Sequence, residues 1–212
     1  MAPSNSSPPA LWNKKLHIYL GLYLLVFLWL FAGSGLLLNH SGWRFAEFWD
    51  KRKQATTTRA FEPGGAADDL GRASHILQQL GITGEIEWTQ TSPKKDRFEF
   101  RVTRPGQMIE VSADLAKKQA TLRETRVNGW GIVRMLHTFS GVQGTAIRPE
   151  RDWLLTKLWS LSMDAVAVGL VFLVLSSVVM TWQRREKRLG SALALILGVL
   201  VGGFFVFGLR WL

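Results

Sequence analysis

Cysteine is missing altogether from the 212 residues, and histidine occurs only four times. The first absence excludes disulfides, thiolate nucleophiles, cysteine-ligated zinc, iron–sulfur ligation and covalent haem attachment through C-x-x-C-H within this chain. H-E-x-x-H, G-x-S-x-G and P-loop patterns are also lacking, so hydrolytic chemistry finds little support. Acidic residues are scarce beside basic ones, 16 against 26, for a net charge of +10. Charge of either sign is absent from three stretches: Ile18 to Leu38, Ala165 to Trp182 and Ala192 to Leu209.

Each of these stretches, at about 1.5 Å per residue, can cross a ~30 Å hydrocarbon core as a helix. The first is longer than the roughly 7–15 apolar residues of a secretory signal and no A-x-A-like site follows it, which favours a retained helix over a cleaved signal. Glycines and serines such as Gly33, Gly35, Ser176, Ser177, Gly202 and Gly203 let helix backbones approach closely. The last two runs form a hairpin around Arg184, Arg185, Lys187 and Arg188; short basic loops stay cytoplasmic, and Lys14 with Lys15 places the amino terminus on the same side. The expected organisation is a cytoplasmic tail over 1–16, disordered across Met1 to Ala10, and membrane helices over 17–40, 153–182 and 191–210. A cytoplasmic loop spans 183–190, and 41–152 is exported to the other side of the membrane. Residues 41–152 hold 18 basic and 14 acidic residues, an excess of only +4. Much of the basicity therefore reflects topology rather than a nucleic-acid footprint. Trp43, Trp49, Trp153, Trp159 and Trp211 outside, with Trp12 and Trp182 inside, fall where interfacial belts lie.

Within the exported segment, Ser41 to Lys53 is aromatic and basic and is expected to hug the membrane before a polar linker around Thr56 to Gly65. Asp68 or Asp69 can cap a helix in which Leu70, Ala73, Leu77 and Leu80 recur at helical spacing, with Gly81 ending it. Ile86 and Trp88 alternate with Glu85 and Glu87, and Phe98, Phe100 and Val102 alternate with polar neighbours, as in half-buried strands. Met108 to Ser112 and Gln119 to Val127 read as returning strands around a turn near Asp114. The predicted fold is α+β: three transmembrane helices plus a small domain with one helix on an antiparallel sheet. Asn128 to Gly144 predicts a short helix, near 129–143, lying in the outer interface. Of the paired acids, Asp68 with Asp69 serves best as a cap, and Glu85 with Glu87 is expected on the solvent face of a strand.

The segments KKLHIYLGLYLL with its ending GLLLNH, LHTFSG, and WSLSMDAVAVGLVFLVLSSVVMTWQRR together resemble the PepSY-associated transmembrane helix family. The match touches both helical ends in order and spans most of the chain. The resemblance implies that the membrane is the inner (cytoplasmic) membrane of a bacterium and that the exported segment is similar to a PepSY domain. Short length, a lone His17 and the absence of a visible active site favour an accessory or interaction protein that binds a protein partner within a membrane assembly. Larger members of that family include haem-containing inner-membrane reductases linked to ferric siderophore uptake. That implies a second class of function, electron transfer through b-type haem in iron uptake. This chain departs from those members in its short length, three spans and four histidines.

For the haem reading, His17 and His40 lie at opposite ends of the first span, ~35 Å apart at helical rise, and cannot share one iron. His137 lies outside with His40, and these two are the candidate axial ligands of a single haem b near the outer face. The alternative is that both bond headgroups, water or backbone at the interface. His17 has no histidine partner on its side; it anchors the helix near Lys14 and Lys15, or a homodimer supplies the second ligand. Asp164, beside the second span, either orients a ligating imidazole or pairs with Arg148, Arg151 or Lys157. His75 falls opposite the apolar face of its helix and is expected to be exposed.

Overall fold

A computed structural model describes residues 8–65, 68–92, 96–139, 153–183 and 188–208. The tail before Pro8, the end of the interfacial segment beyond Phe139, Arg148, Arg151, the basic loop residues 184–187 and Trp211 lie outside them. The elements in order are α1 (Pro8–Asn39), a 3-10 turn (Arg44–Ala46), β1 (Lys53–Ala60), α2 (Asp69–Leu80) and β2 (Glu85–Thr91). There follow β3 (Arg97–Arg104), β4 (Gln107–Asp114), β5 (Gln119–Arg126), α3 (Gly129–Thr138), α4 (Leu154–Gln183) and α5 (Arg188–Phe207).

Helices α1, α4 and α5 are each long and apolar enough to cross a membrane. α1 begins at Pro8, well before the expected span, because proline is tolerated in a first turn whose N–H groups have no helical acceptor. Its 32 residues reach about 48 Å. By compactness the chain divides into two units, residues 1–27 with 165–212, and residues 28–164. In the first unit, α1 packs on α4: Leu24 is buried, and Asn13 and Ser176 exchange two bonds, Ser176 Oγ to Asn13 Oδ1 at 3.0 Å and Asn13 Nδ2 to the Ser176 carbonyl at 3.4 Å. Polar side chains in an apolar helix pair meet because hydrocarbon offers them no other partner.

The second unit contains the sheet, five antiparallel strands in the order β1-β5-β4-β3-β2. α2 covers one face. Asp68 caps it, accepting from Gly71 N–H at 3.3 Å, and Gly81 ends it at φ +66°, a left-handed conformation that a β-carbon disfavours. Its buried Ala73, Ile76, Leu77 and Leu80 meet Phe98, Phe100, Val102, Val111 and Leu122 from the sheet. Each large side chain so buried contributes on the order of 1.5–3 kcal/mol.

Two expectations are corrected. The first half of the segment read as a polar linker, Thr56 to Ala60, belongs to strand β1, which pairs with β5 over all eight of its residues. It carries no apolar alternation because every one of its residues is exposed; backbone pairing and β-branched threonines hold it, without a buried face. Glu85 does not face solvent. It is 0% exposed and its Oε2 accepts the Trp153 N–H at 3.2 Å. A register shift between Ile86 and Trp88 breaks the simple alternation on β2, so Ile86 joins the core. Glu87 is half-buried, 3.7 Å from Arg101, whose other end bonds Glu110 at 2.7 Å.

Candidate functional site

The short helix α3 brings the most chemistry together. Asn128 caps it, accepting from Gly131 N–H at 3.1 Å, and its Nδ2 donates to the Glu47 carbonyl at 2.9 Å, tying the cap to the segment before β1. Glycine is required at 131, since a β-carbon there would stand 2.6 Å from Val127 and 2.8 Å from Phe48. With the start of α3 held so closely, Arg134 and His137 fall three residues apart on one face.

His137 seats on α1. Its Nδ1 is 2.6 Å from Ser34 Oγ, and its ring meets Phe31 edge-on at 5.2 Å. Ser34 is fully buried and its hydroxyl also bonds the Phe31 carbonyl at 3.1 Å. A hydroxyl has one proton, so both bonds are made together only when Ser34 donates to the carbonyl and His137 Nδ1–H donates to Ser34. The lone pair then resides on Nε2. His40, exposed just past the end of α1, reaches the Leu36 carbonyl through Nδ1 at 3.0 Å, and a carbonyl can only accept. Its Nε2 is likewise the free nitrogen. His40 stacks on Trp43 at 4.5 Å, Trp43 meets Phe45, and Phe45 meets Trp130 of α3 at 5.5 Å.

The two imidazoles are therefore in one neighbourhood with separate seats. Ser34 and His40 are six residues apart, about 9 Å along the helix and a third of a turn around it. Both rings present the tautomer that metal ligation uses. Asp164, on α4, is exposed, and the groups orienting the imidazoles are Ser34 and Leu36 in its place. His17 is half-buried with Nδ1 unpartnered among the described residues. His75 is exposed and bonds Gln79 at 3.1 Å. Among the described residues no cluster of three or more histidines and acids is arranged to hold a metal ion.

Sequence reasoning missed Ser34, and it placed Arg134 in the interfacial segment without its burial. A hydroxyl in the middle of an uncharged run was the available signal for the first. Arg134 is 7% exposed, lies 4.8 Å over the Phe48 ring, and has no partner for Nε or Nη2 among the described residues. An arginine within a short apolar helix was its signal.

A second feature is a cleft of ≈ 510 Å³ beside α2. Phe61, Pro63, Ile76 and Leu115 give it an apolar lining, and Asp69, Arg72 and Thr91 supply polar groups. Asp69 and Arg72 pair at 3.1 Å, and Thr91 Oγ1 adds a bond to Asp69 at 3.4 Å. Its size suits a small molecule or a peptide side chain. Asp114, in the β4–β5 turn, is held below the usual carboxylate range, first by the Lys117 backbone N–H and further by the Lys117 ammonium and the Ala116 N–H.

These features define a membrane protein in which a helix-on-sheet domain follows the first and precedes the second of three apolar helices along the chain. Compared with known proteins, the chain matches no family model, no curated protein and no solved structure.

Proposed function

We propose that this chain is an integral inner-membrane accessory protein whose exported, PepSY-like domain binds a partner protein within a larger membrane assembly. The carrying observation is the cleft beside α2, with an apolar lining and the paired charges of Asp69 and Arg72, in a domain that has its own complete core. Paired charges beside an apolar surface favour a partner side chain that is itself amphipathic. The basic loop around 184–187 and Lys14 with Lys15 support export of the domain. The test is purification of the full chain in mild detergent. Associated subunits are expected with the wild-type protein and are expected to be lost with Arg72→Glu, which reverses one rim charge. A wild-type protein that purifies free of any other subunit overturns the reading.

A specific observation favours a second reading, a b-type haem electron carrier serving iron uptake. The bonds from His137 to Ser34 and from His40 to Leu36 leave both Nε2 atoms as ligands, and neutral imidazoles suit haem iron. Haem bound there would supply one-electron chemistry. The chain's own part is to fix the tautomers and keep one ring against Phe31 and the other against Trp43. Visible spectra of protein from haem-replete cells, oxidised and reduced, decide it. A Soret band that vanishes in His137→Ala supports the reading; no band, or a band unchanged in both His40→Ala and His137→Ala, removes it.

A further inference from the structure

The outer edge of the sheet is open, and its geometry fixes which backbone groups are available. β1 is last in the strand order, and all eight of its residues are exposed. Phe61 N–H donates to the Lys118 carbonyl at 3.1 Å, one step beyond the Ala60 to Gln119 pairing. In an antiparallel ladder, residues that bond the neighbouring strand alternate with residues whose groups point away from it. Residues 55, 57 and 59 share the parity of Phe61 and bond β5. Gln54, Thr56, Thr58 and Ala60 therefore turn their N–H and C=O groups outward, and no backbone partner for them is present among the described residues.

Natural edge strands are blunted by proline, bulges or a covering element. Among the described residues β1 has none of these: its register with β5 runs without a shift, all of its residues are exposed, and its only charged residues are Lys53 and Arg59. We propose that β1 pairs antiparallel with β1 of a second copy of this chain, about a two-fold axis through Thr57.

The symmetry selects this register. Outward-facing groups must meet outward-facing groups, so the axis passes through a residue and never between two. An axis at Thr56 sets Lys53 opposite Arg59, and one at Ala55 sets Lys51 opposite Arg59. Like charges directly opposite are destabilising. An axis at Thr58 shortens the pairing to Thr56 through Ala60. The axis at Thr57 sets Gln54 opposite Ala60, Ala55 opposite Arg59 and Thr56 opposite Thr58, with no like charges facing. Just beyond the strand it places Arg52 opposite Glu62. Threonine pairs across strands are favourable, and the contact is isologous, so it closes at two copies. A strand pair alone buries less than a standard interface of about 1,600 Å². Confinement of both copies to one bilayer raises their effective concentration and offsets that shortfall.

The absence of cysteine makes the test direct. Thr57 faces its own copy across a non-hydrogen-bonded pair, where Cα atoms approach to about 4.5 Å, within disulfide reach. Full-length Thr57→Cys in native membranes, mildly oxidised, is expected to shift to twice the monomer mass on a non-reducing gel. Thr56→Cys, displaced from its copy, and Thr121→Cys, on β5, are expected to stay monomeric. Adding Thr58→Pro to Thr57→Cys removes an N–H that faces the second copy and not β5, so the sheet survives and the cross-link is lost. Resistance to added protease reports folding. If the proline variant loses that resistance, the contrast of Thr57→Cys with Thr56→Cys and Thr121→Cys decides alone. A folded Thr57→Cys protein that stays monomeric, or cross-linking equally strong from Thr56→Cys, overturns the proposal. It stands apart from the partner-binding reading, since subunits that co-purify with a monomeric Thr57→Cys protein leave that reading in place and remove this one.

Discussion

The sheet domain and the apolar helices spend their hydrophobic residues in opposite ways. In the domain, Phe98 and Phe100 are fully buried against α2 and the sheet. In the helices, Trp29 is 81% exposed, Val168 71% and Leu200 65%. One region makes an apolar interior in water, and the other needs hydrocarbon, or another protein, as its surroundings. The difference teaches that exposure alone does not mark a binding surface here. α5 shows apolar residues on every side, which is what lipid contact demands. Exposure on the polar edge strand β1 is the more informative kind.

The comparison can be broken hardest at Phe100. Phe100→Ala should cost about 3–5 kcal/mol and collapse the domain's protease resistance, because the cavity it leaves lies in a closed core. Val168→Ala, removing exposed apolar surface, should leave that resistance unchanged. Next in size, Val199→Arg places a charge in the middle of α5 and should oppose its insertion by about 2.5–3.5 kcal/mol, read by protease mapping of sealed vesicles. The same charge at Thr121, exposed on β5, should be tolerated. Asp68→Ala removes the α2 cap and should lower the domain's melting free energy by about 1 kcal/mol with no effect on the helices. The smallest effect is at Asp114. Its folded-state pKa is depressed, so the stability it contributes is present above the unfolded value and is lost as the pH falls through the lower folded value. Asp114→Asn should flatten the acid side of the domain's unfolding profile, and amide exchange at Ala116 and Lys117 should report it.

α2 was legible because cap, helical period and terminal glycine agree over Asp68 to Gly81, β3 because Phe98 to Val102 alternate, and β4 and β5 because Met108 to Ser112 and Gln119 to Val127 flank a turn near Asp114. β1 was not, since a strand held only by its backbone leaves no hydrophobic pattern to read. Glu85 was misjudged for a related reason: a register shift one residue later separates side-chain alternation from burial. At the candidate site, His40 and His137 were visible as residue types, but Ser34 and Arg134 acquire meaning only from the seat of α3 on α1, which sequence spacing does not encode.

The bond from Trp153 N–H to Glu85 joins the first residue of β2 to the very start of α4. A helix whose opening amide is gripped in this way cannot spin about its long axis without first letting go of the sheet. Torque applied to the sheet near Glu85 is thus handed to the first turn of that helix.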